Sequence, residues 1–307
     1  MGHAHGHHAH GHAHAHVVRA DADRRALAIA LALIAGLMVV EVVVGVLSSS
    51  LALLSDAAHL LTDAAALALA LVANRLARRP AGGAMTFGLG RAEILSAQAN
   101  GATLLVLGLL IVYEGVRRLA NPPDVPGAPL LIVALLGVAV NLAATWTLAR
   151  ANRESLNVEG AYQHVLTDLA AFIATAIAGV VILLTGFTRA DGIAALIVAA
   201  IMLHSAYGLL KASGRVFLEA APAGVDPDAI GRAMAGTAGV VEVHDLHVWE
   251  VTSGFPALSA HVLVGDDTDC HATRRKLEGL LAERFAIEHT TLQVDHEGGD
   301  LLEIETR

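Results

Sequence analysis

Six stretches of about 20 residues, near 26–47, 51–73, 94–118, 130–149, 162–186 and 191–210, are almost free of charge. A helix needs ~20 apolar residues to cross a bilayer core of ~30 Å. In lipid the backbone must satisfy its own polar groups, which leaves helices as the spanning form for runs of this length. The chain is therefore expected to be an α-helical membrane protein with six transmembrane helices. Its composition agrees, at 55% hydrophobic and 16% charged, against about 25% charged in soluble domains. Short turns, Ser48-Ser49-Ser50 between spans one and two and Thr188-Arg189-Ala190-Asp191 between five and six, predict two hairpins. One cysteine, Cys270, excludes an internal disulfide and a cysteine-rich metal site.

Charge sets orientation and divides the chain. Ten basic residues, from Arg19 to Lys211, flank the spans on one side, and only Arg117, Arg118 and Arg189 flank them on the other. Basic loops stay in the cytoplasm, so both termini are expected there. Eighteen arginines against two lysines, with abundant Ala and Gly, suit a bacterial chain and hence the inner (plasma) membrane. Residues 213–307 hold 7 basic and 17 acidic side chains, the wrong sign for a nucleic-acid partner. Their pattern predicts a helix over 227–237, strands over 240–252 and 256–264, a helix over 269–285 and a strand over 290–296. The organisation expected is a disordered His-rich cytoplasmic N-terminus (1–25), a six-helix membrane domain (26–211), a cytoplasmic α/β metal-binding domain (212–297) and a tail (298–307). Eight histidines alternate with Ala and Gly in residues 1–16, a pattern suited to weak metal capture near an entrance. No cleavable signal peptide is expected, since the run beginning at Ala26 is too long for one.

Ionisable groups inside spans are costly, and each needs a reason. Span two carries His59 and Asp63 four residues apart, with Asp56 one turn before; span five carries His164 and Asp168 at the same spacing. Residues i and i+4 share a helix face. The two pairs also share their wording, His59-Leu60-Leu61-Thr62-Asp63 and His164-Val165-Leu166-Thr167-Asp168. Together they can supply two imidazole nitrogens and two carboxylate oxygens, a ligand set that suits tetrahedral zinc. Two carboxylates also cancel the charge of a divalent ion in a low-dielectric setting. Of the remaining intramembrane polar residues, Asn100 and Asn141 are expected to bridge helices, Glu41 and Glu114 to hydrogen-bond between helices as protonated acids, and His204 to pack against a neighbouring helix. Trp146 and Tyr162 are expected at the cytoplasmic interface.

These motifs carry a family resemblance. The run from Ser50 to His59, the stretch Phe87-Gly88-Leu89-Gly90-Arg91-Ala92-Glu93, the span-five pair, and Val243-His244-Asp245-Leu246-His247-Val248-Trp249 resemble the cation diffusion facilitator family over about residues 26–297. The His/Asp pairing resembles its zinc-transporting branch. The resemblance implies proton-coupled export of divalent metal by a homodimer with a ferredoxin-like cytoplasmic α+β domain. It places cytoplasmic metal ligands on His244, His261, His271 and Asp295, with His247, His289 and His296 as accessory candidates beside Asp56 in the membrane. Two positions depart from the pattern. Gly82, Gly83, Met85 and Leu89 stand where some members carry a loop metal site, so none is expected here. Gln293 stands where a further cytoplasmic histidine is usual.

The function expected is antiport of Zn²⁺, with Cd²⁺, Co²⁺, Ni²⁺ or Fe²⁺ also suited to the ligand set, against protons; zinc would serve as both cargo and regulator. Imidazole and carboxylate bind metal only when deprotonated, which couples the two ions. An intramembrane metalloprotease would carry H-E-x-x-H, and that motif does not occur, so no enzyme activity is expected. A membrane metal sensor or metal-binding scaffold that moves nothing is the alternative.

Overall fold

The computed structural model describes residues 10–47, 51–121, 127–153 and 155–297. Six long helices come first: α1 (His10–Leu47), α2 (Leu51–Ala77), α3 (Arg91–Ala120), α4 (Gly127–Leu148), α5 (Leu156–Thr185) and α6 (Arg189–Phe217). All six are long and apolar enough to cross a membrane. Each contains or closely matches an expected span. The helix α1 begins at His10, so residues 10–25, expected to be disordered, are helical instead. Once the apolar span is nucleated, each further residue adds one hydrogen bond at little cost, and Ala-rich His10–Ala26 is a good substrate for that extension.

The membrane unit packs by small residues. Along α3, Gly101, Gly108 and Gly115 recur every seven residues and face Leu210, Leu203 and Leu196 of antiparallel α6. A Cβ on these glycines would lie 3.0, 3.0 and 2.9 Å from the leucine atoms, so the leucines seat against bare backbone. Close approach at small residues is how helices associate where lipid is as apolar as leucine. Gly137 of α4 does the same for the Phe172 ring of α5, where a Cβ would sit 2.3 Å from the ring. A second cluster joins α1, α2, α4 and α5 through Leu27, Ile34, Leu60, Leu67, Leu148 and Val165. The outer faces are apolar and exposed, as lipid contact requires. Trp146 is exposed with the Arg150 guanidinium 3.4 Å over its ring, and Arg153 stands 4.0 Å over Tyr162.

Three expectations about polar residues change. His204 is exposed, because the buried stripe of α6 runs through Ala199, Met202, Ala206, Leu209 and Ser213 and leaves position 204 on the outer face. Asn141 donates within its own helix to the Gly137 carbonyl at 3.1 Å. Glu114 is half-exposed and pairs with Arg117 and Arg118 rather than acting as a buried acid. Asn100 is buried at the contact of α3 with Gly160 of α5.

The second unit follows the order α7 (Pro227–Ala235), β1 (Val240–Thr252), β2 (Phe255–Val264), α8 (Cys270–Phe285) and β3 (His289–His296). The elements match those read from the sequence within two residues. Asp226 caps α7 through the amide of Asp228, with Pro227 at the first helical position. Asp269 caps α8 by accepting from the amides of His271 (2.9 Å) and Ala272 (3.0 Å). Gly254 (φ 71°) lets a two-residue turn join β1 to β2. The sheet order is β1-β2-β3, with the first pair antiparallel and the second parallel. That is the α-β-β-α-β, ferredoxin-like α+β arrangement expected. Ile230 and Met234 of α7 and Leu277 and Leu281 of α8 cover Leu258, Ala260, Val262 and Val264 of the sheet.

Candidate metal centre

Asp63 of α2 and His164 and Asp168 of α5 come together inside the membrane unit. The stripe Leu60, Asp63, Ala64, Leu67 faces inward on α2; Ala161, His164, Val165, Asp168, Leu169 does so on α5. One ligand atom from each of the three polar residues lies within 4.8 Å of the other two. His164 Nε2 is 3.0 Å from Asp63 Oδ1 and 3.9 Å from Asp168 Oδ2. A tetrahedral ion with bonds of ~2.0–2.2 Å sets its ligand atoms roughly 3.4 Å apart. The observed spacings bracket that value. His164 is 1% exposed and Asp63 8%, so the cluster is shielded from solvent competition. Two buried atoms at the cluster, His164 Nδ1 and Asp168 Oδ2, have no hydrogen-bond partner, and an unsatisfied buried acceptor normally marks a ligand or a functional role.

Of the residues read from the sequence, the structure gathers Asp63, His164 and Asp168. His59 and Asp56 belong to α2, one and two turns before Asp63, and their side chains lie outside the described residues.

The centre has an open side and a packed side. A cavity of about 490 Å³ extends from Asp63, Thr167 and Asp168 between apolar walls that include Leu107, Ile111 and Phe172. It reaches Glu114, Arg118 and Asp191, where α3 ends and α6 begins. On the opposite side the helices are bolted by polar contacts. Asn157 Nδ2 donates to the Ala70 carbonyl at 2.8 Å, and Ser155 Oγ to Glu93 Oε2 at 3.0 Å. Ser205 donates to Gln163 at 3.2 Å, and Ser213 to Gln98 at 2.5 Å. Sequence reading used Arg118 only as a topology charge and Asp191 only as part of the turn between spans five and six. The Glu114-to-Arg118 spacing of four was a usable signal, whereas the Arg118–Asp191 contact spans 73 residues and left no local trace.

In the C-terminal unit, His244 and His261 are register partners on β1 and β2 with ring centroids 5.4 Å apart. Gln293 continues the row on β3, and its amide donates to Asp295 at 2.8 Å. His244 also lies 3.3 Å from Glu242. His271 is exposed in the first turn of α8. His247 pairs with Asp245 at 2.9 Å. His296 reaches the Thr268 carbonyl at 3.0 Å and Cys270 Sγ at 3.5 Å. His289 stacks edge-on against Phe255 at the other end of β3. Among the described residues of this unit, no three such side chains converge as the membrane trio does.

Comparison with known proteins completes the description. Residues 27–218 match the model of the cation efflux transmembrane domain, and residues 222–297 that of the cation efflux protein cytoplasmic domain. The chain is 38% identical over 270 residues to the cadmium, cobalt and zinc/H(+)-K(+) antiporter of Bacillus subtilis, covering 86% of each chain. It is 39% identical over 265 residues to the zinc transporter ZitB of Escherichia coli, covering 86% of this chain and 84% of that one. Among solved structures, the metal-bound C-terminal domain of the CzcD transporter from Cuprividus metallidurans matches 23% of this chain and 99% of its own, at 33% identity and a TM-score of 0.23.

Proposed function

Because the chain belongs to the cation efflux family, we propose that it exports Zn²⁺ from the cytoplasm in exchange for protons. The carrying observation is the buried trio at the head of the cavity, with Asp63, His164 and Asp168 offering ligand atoms within 4.8 Å of one another. His59, on the same helix as Asp63, would be the fourth ligand. Relatives named as transporters of zinc, cadmium and cobalt support a borderline-soft divalent cargo, and the nitrogen–oxygen ligand set agrees.

The chemistry of the ligand set supports the exchange. His164 Nε2 and Asp63 Oδ1 lie 3.0 Å apart, close enough to share a proton when the centre holds no metal. Zinc takes the same lone pairs, so a doubly protonated His164 or a protonated carboxyl gives up its extra proton as zinc loads, whereas a neutral imidazole keeps its single proton on Nδ1. Protons arriving from the far side through the cavity reverse the step and release the ion. Each proton that enters as zinc leaves offsets part of the carboxylate charge that would otherwise stand bare in the bilayer. The cavity and the bolted face describe one of two access states, the one that faces Glu114 and Asp191. Rocking of helices around a fixed midplane site provides the other.

With the C-terminal unit in the cytoplasm, both termini lie there, and the cavity faces the outer side of the bacterial inner membrane. The working form is a homodimer whose cytoplasmic units take regulatory zinc through His244, His261, His271 and Asp295. The test is zinc uptake into inverted vesicles with and without a pH gradient. Asp63→Ala or Asp168→Ala should abolish it. If either variant carries zinc normally, the site is wrong; if the wild type binds zinc and moves none, the chain is a sensor.

A further inference from the structure

Among the described residues, the cavity that starts at the metal trio is lined by four carboxylates, Asp63, Asp168, Glu114 and Asp191, and by one cationic side chain, Arg118. The guanidinium sits between the two outer carboxylates. Its Nε donates to Glu114 Oε1 at 3.1 Å and its Nη1 to Asp191 Oδ2 at 2.6 Å. The two carboxylates meet it on different edges, so losing it would leave the Asp191 carboxylate uncompensated and Glu114 held only by Arg117, both facing the same path. The neighbouring cations are differently employed. Arg117, 66% exposed, reaches only Glu114, at 3.4 Å and from the outer side, and Arg189 donates to the Leu119 carbonyl. Beside this mouth Gly115 and Gly192 bring α3 and α6 into backbone contact, with a Cβ on Gly192 falling 3.2 Å from the Gly115 carbonyl.

We propose that Arg118 is a release residue: a tethered cation that occupies the acidic mouth and keeps Glu114 and Asp191 from trapping the divalent ion leaving the Asp63–His164–Asp168 centre. This rests on the reading that metal leaves through this cavity. Acidic groups at the mouth draw cations outward along the apolar walls. Without a fixed positive charge the same pair would hold the ion at the exit, and export would stall as metal accumulated outside. A covalently attached guanidinium meets both needs, because it neutralises the pair without being able to diffuse away. Arg suits the role better than Lys in one respect, since its planar fork can serve two carboxylates at once.

Two measurements on the full-length protein test this. The first is zinc titration in the Asp63→Ala/Asp168→Ala background, where the inner centre is gone. Adding Arg118→Gln should create one new zinc equivalent, Arg118→Lys should not, and Arg118→Gln with Asp191→Asn should lose it again. The second is proteoliposome transport with zinc added on the release side. Arg118→Gln should be inhibited at a concentration lower by on the order of tenfold or more, because a unit charge has been taken from beside the carboxylates. A simple helix-to-helix brace would weaken the fold in all three variants and create no site. Arg118→Gln that folds, gains no zinc and keeps the wild-type response to release-side zinc overturns the proposal. A wild type that moves no zinc instead overturns the export reading, while the binding titration still decides the role of Arg118.

Discussion

Removing His164 tests whether it contributes as a ligand of the proposed centre. In His164→Ala, Asp63 Oδ1 loses its 3.0 Å partner and Asp168 Oδ2 loses the nitrogen at 3.9 Å. Two carboxylates then remain from the described trio. Apparent binding energies of four-ligand zinc sites run to ~10–16 kcal/mol, so an equal share is ~3 kcal/mol per ligand. That corresponds to about two orders of magnitude in Kd. The loss also has a sign in the proton balance, because one of the groups at which zinc and protons compete is gone and zinc binding should release fewer protons. Calorimetric titration in two buffers of different ionisation enthalpy reads both quantities together. The eight histidines of residues 1–16 offer further imidazoles to zinc, so the comparison belongs in a background lacking that segment. His164→Ala that binds zinc within a few-fold of the wild type, with unchanged proton release, would refute the assignment of Nε2 as a ligand.

The remaining predictions concern packing and the C-terminal unit. Gly137→Ala puts a methyl 2.3 Å from the Phe172 ring and should destabilise the membrane unit by ~1–3 kcal/mol, the usual cost of overpacking; Phe172→Leu should restore the melting temperature, and no rescue would mean that the ring is not the obstacle. The Asp269 carboxyl is held below the usual carboxylate range by the backbone N–H groups of Ala272 and His271. Its cap stability is therefore present above the unfolded carboxylate pKa and lost as pH falls through the lower folded value. Hydrogen exchange in α8 should speed up on acidification in the wild type and show less of that dependence in Asp269→Ala. His244→Ala with His261→Ala should weaken zinc-induced compaction of the cytoplasmic units, read by scattering, and leave vesicle uptake in place; lost uptake would make that pair part of the transport path.

The membrane helices were legible because hydropathy over ~20 residues is a one-dimensional signal. The tail strands were legible for the same kind of reason, since alternation along Phe255–Val264 follows directly from the pleat. The pairing of His164 with Asp168 was visible as helical spacing. Its proximity to Asp63 was an inference from duplication, and the structure supplies the distance. What escaped was tertiary or energetic. No local pattern marks Arg118 for Asp191, or Asn157 for the Ala70 carbonyl, because their partners lie far off in sequence. The face of His204 depended on which side of α6 meets α3, a choice its uniformly apolar neighbours do not announce. The start of α1 was misjudged because composition argued for disorder while the span behind it was ready to propagate.

The glycines of α3 and the leucines of α6 also limit how this molecule can move. Their shared repeat means that the next equivalent seating lies seven residues away, a travel of about 10.5 Å along the axis. Anything shorter would drive leucine crowns into side chains instead of bare backbone. Sliding is therefore forbidden to this pair, and it has to turn as a single plank. The two faces of the membrane can then be reached in alternation only if α2 and α5, which carry Asp63, His164 and Asp168, swing against that plank.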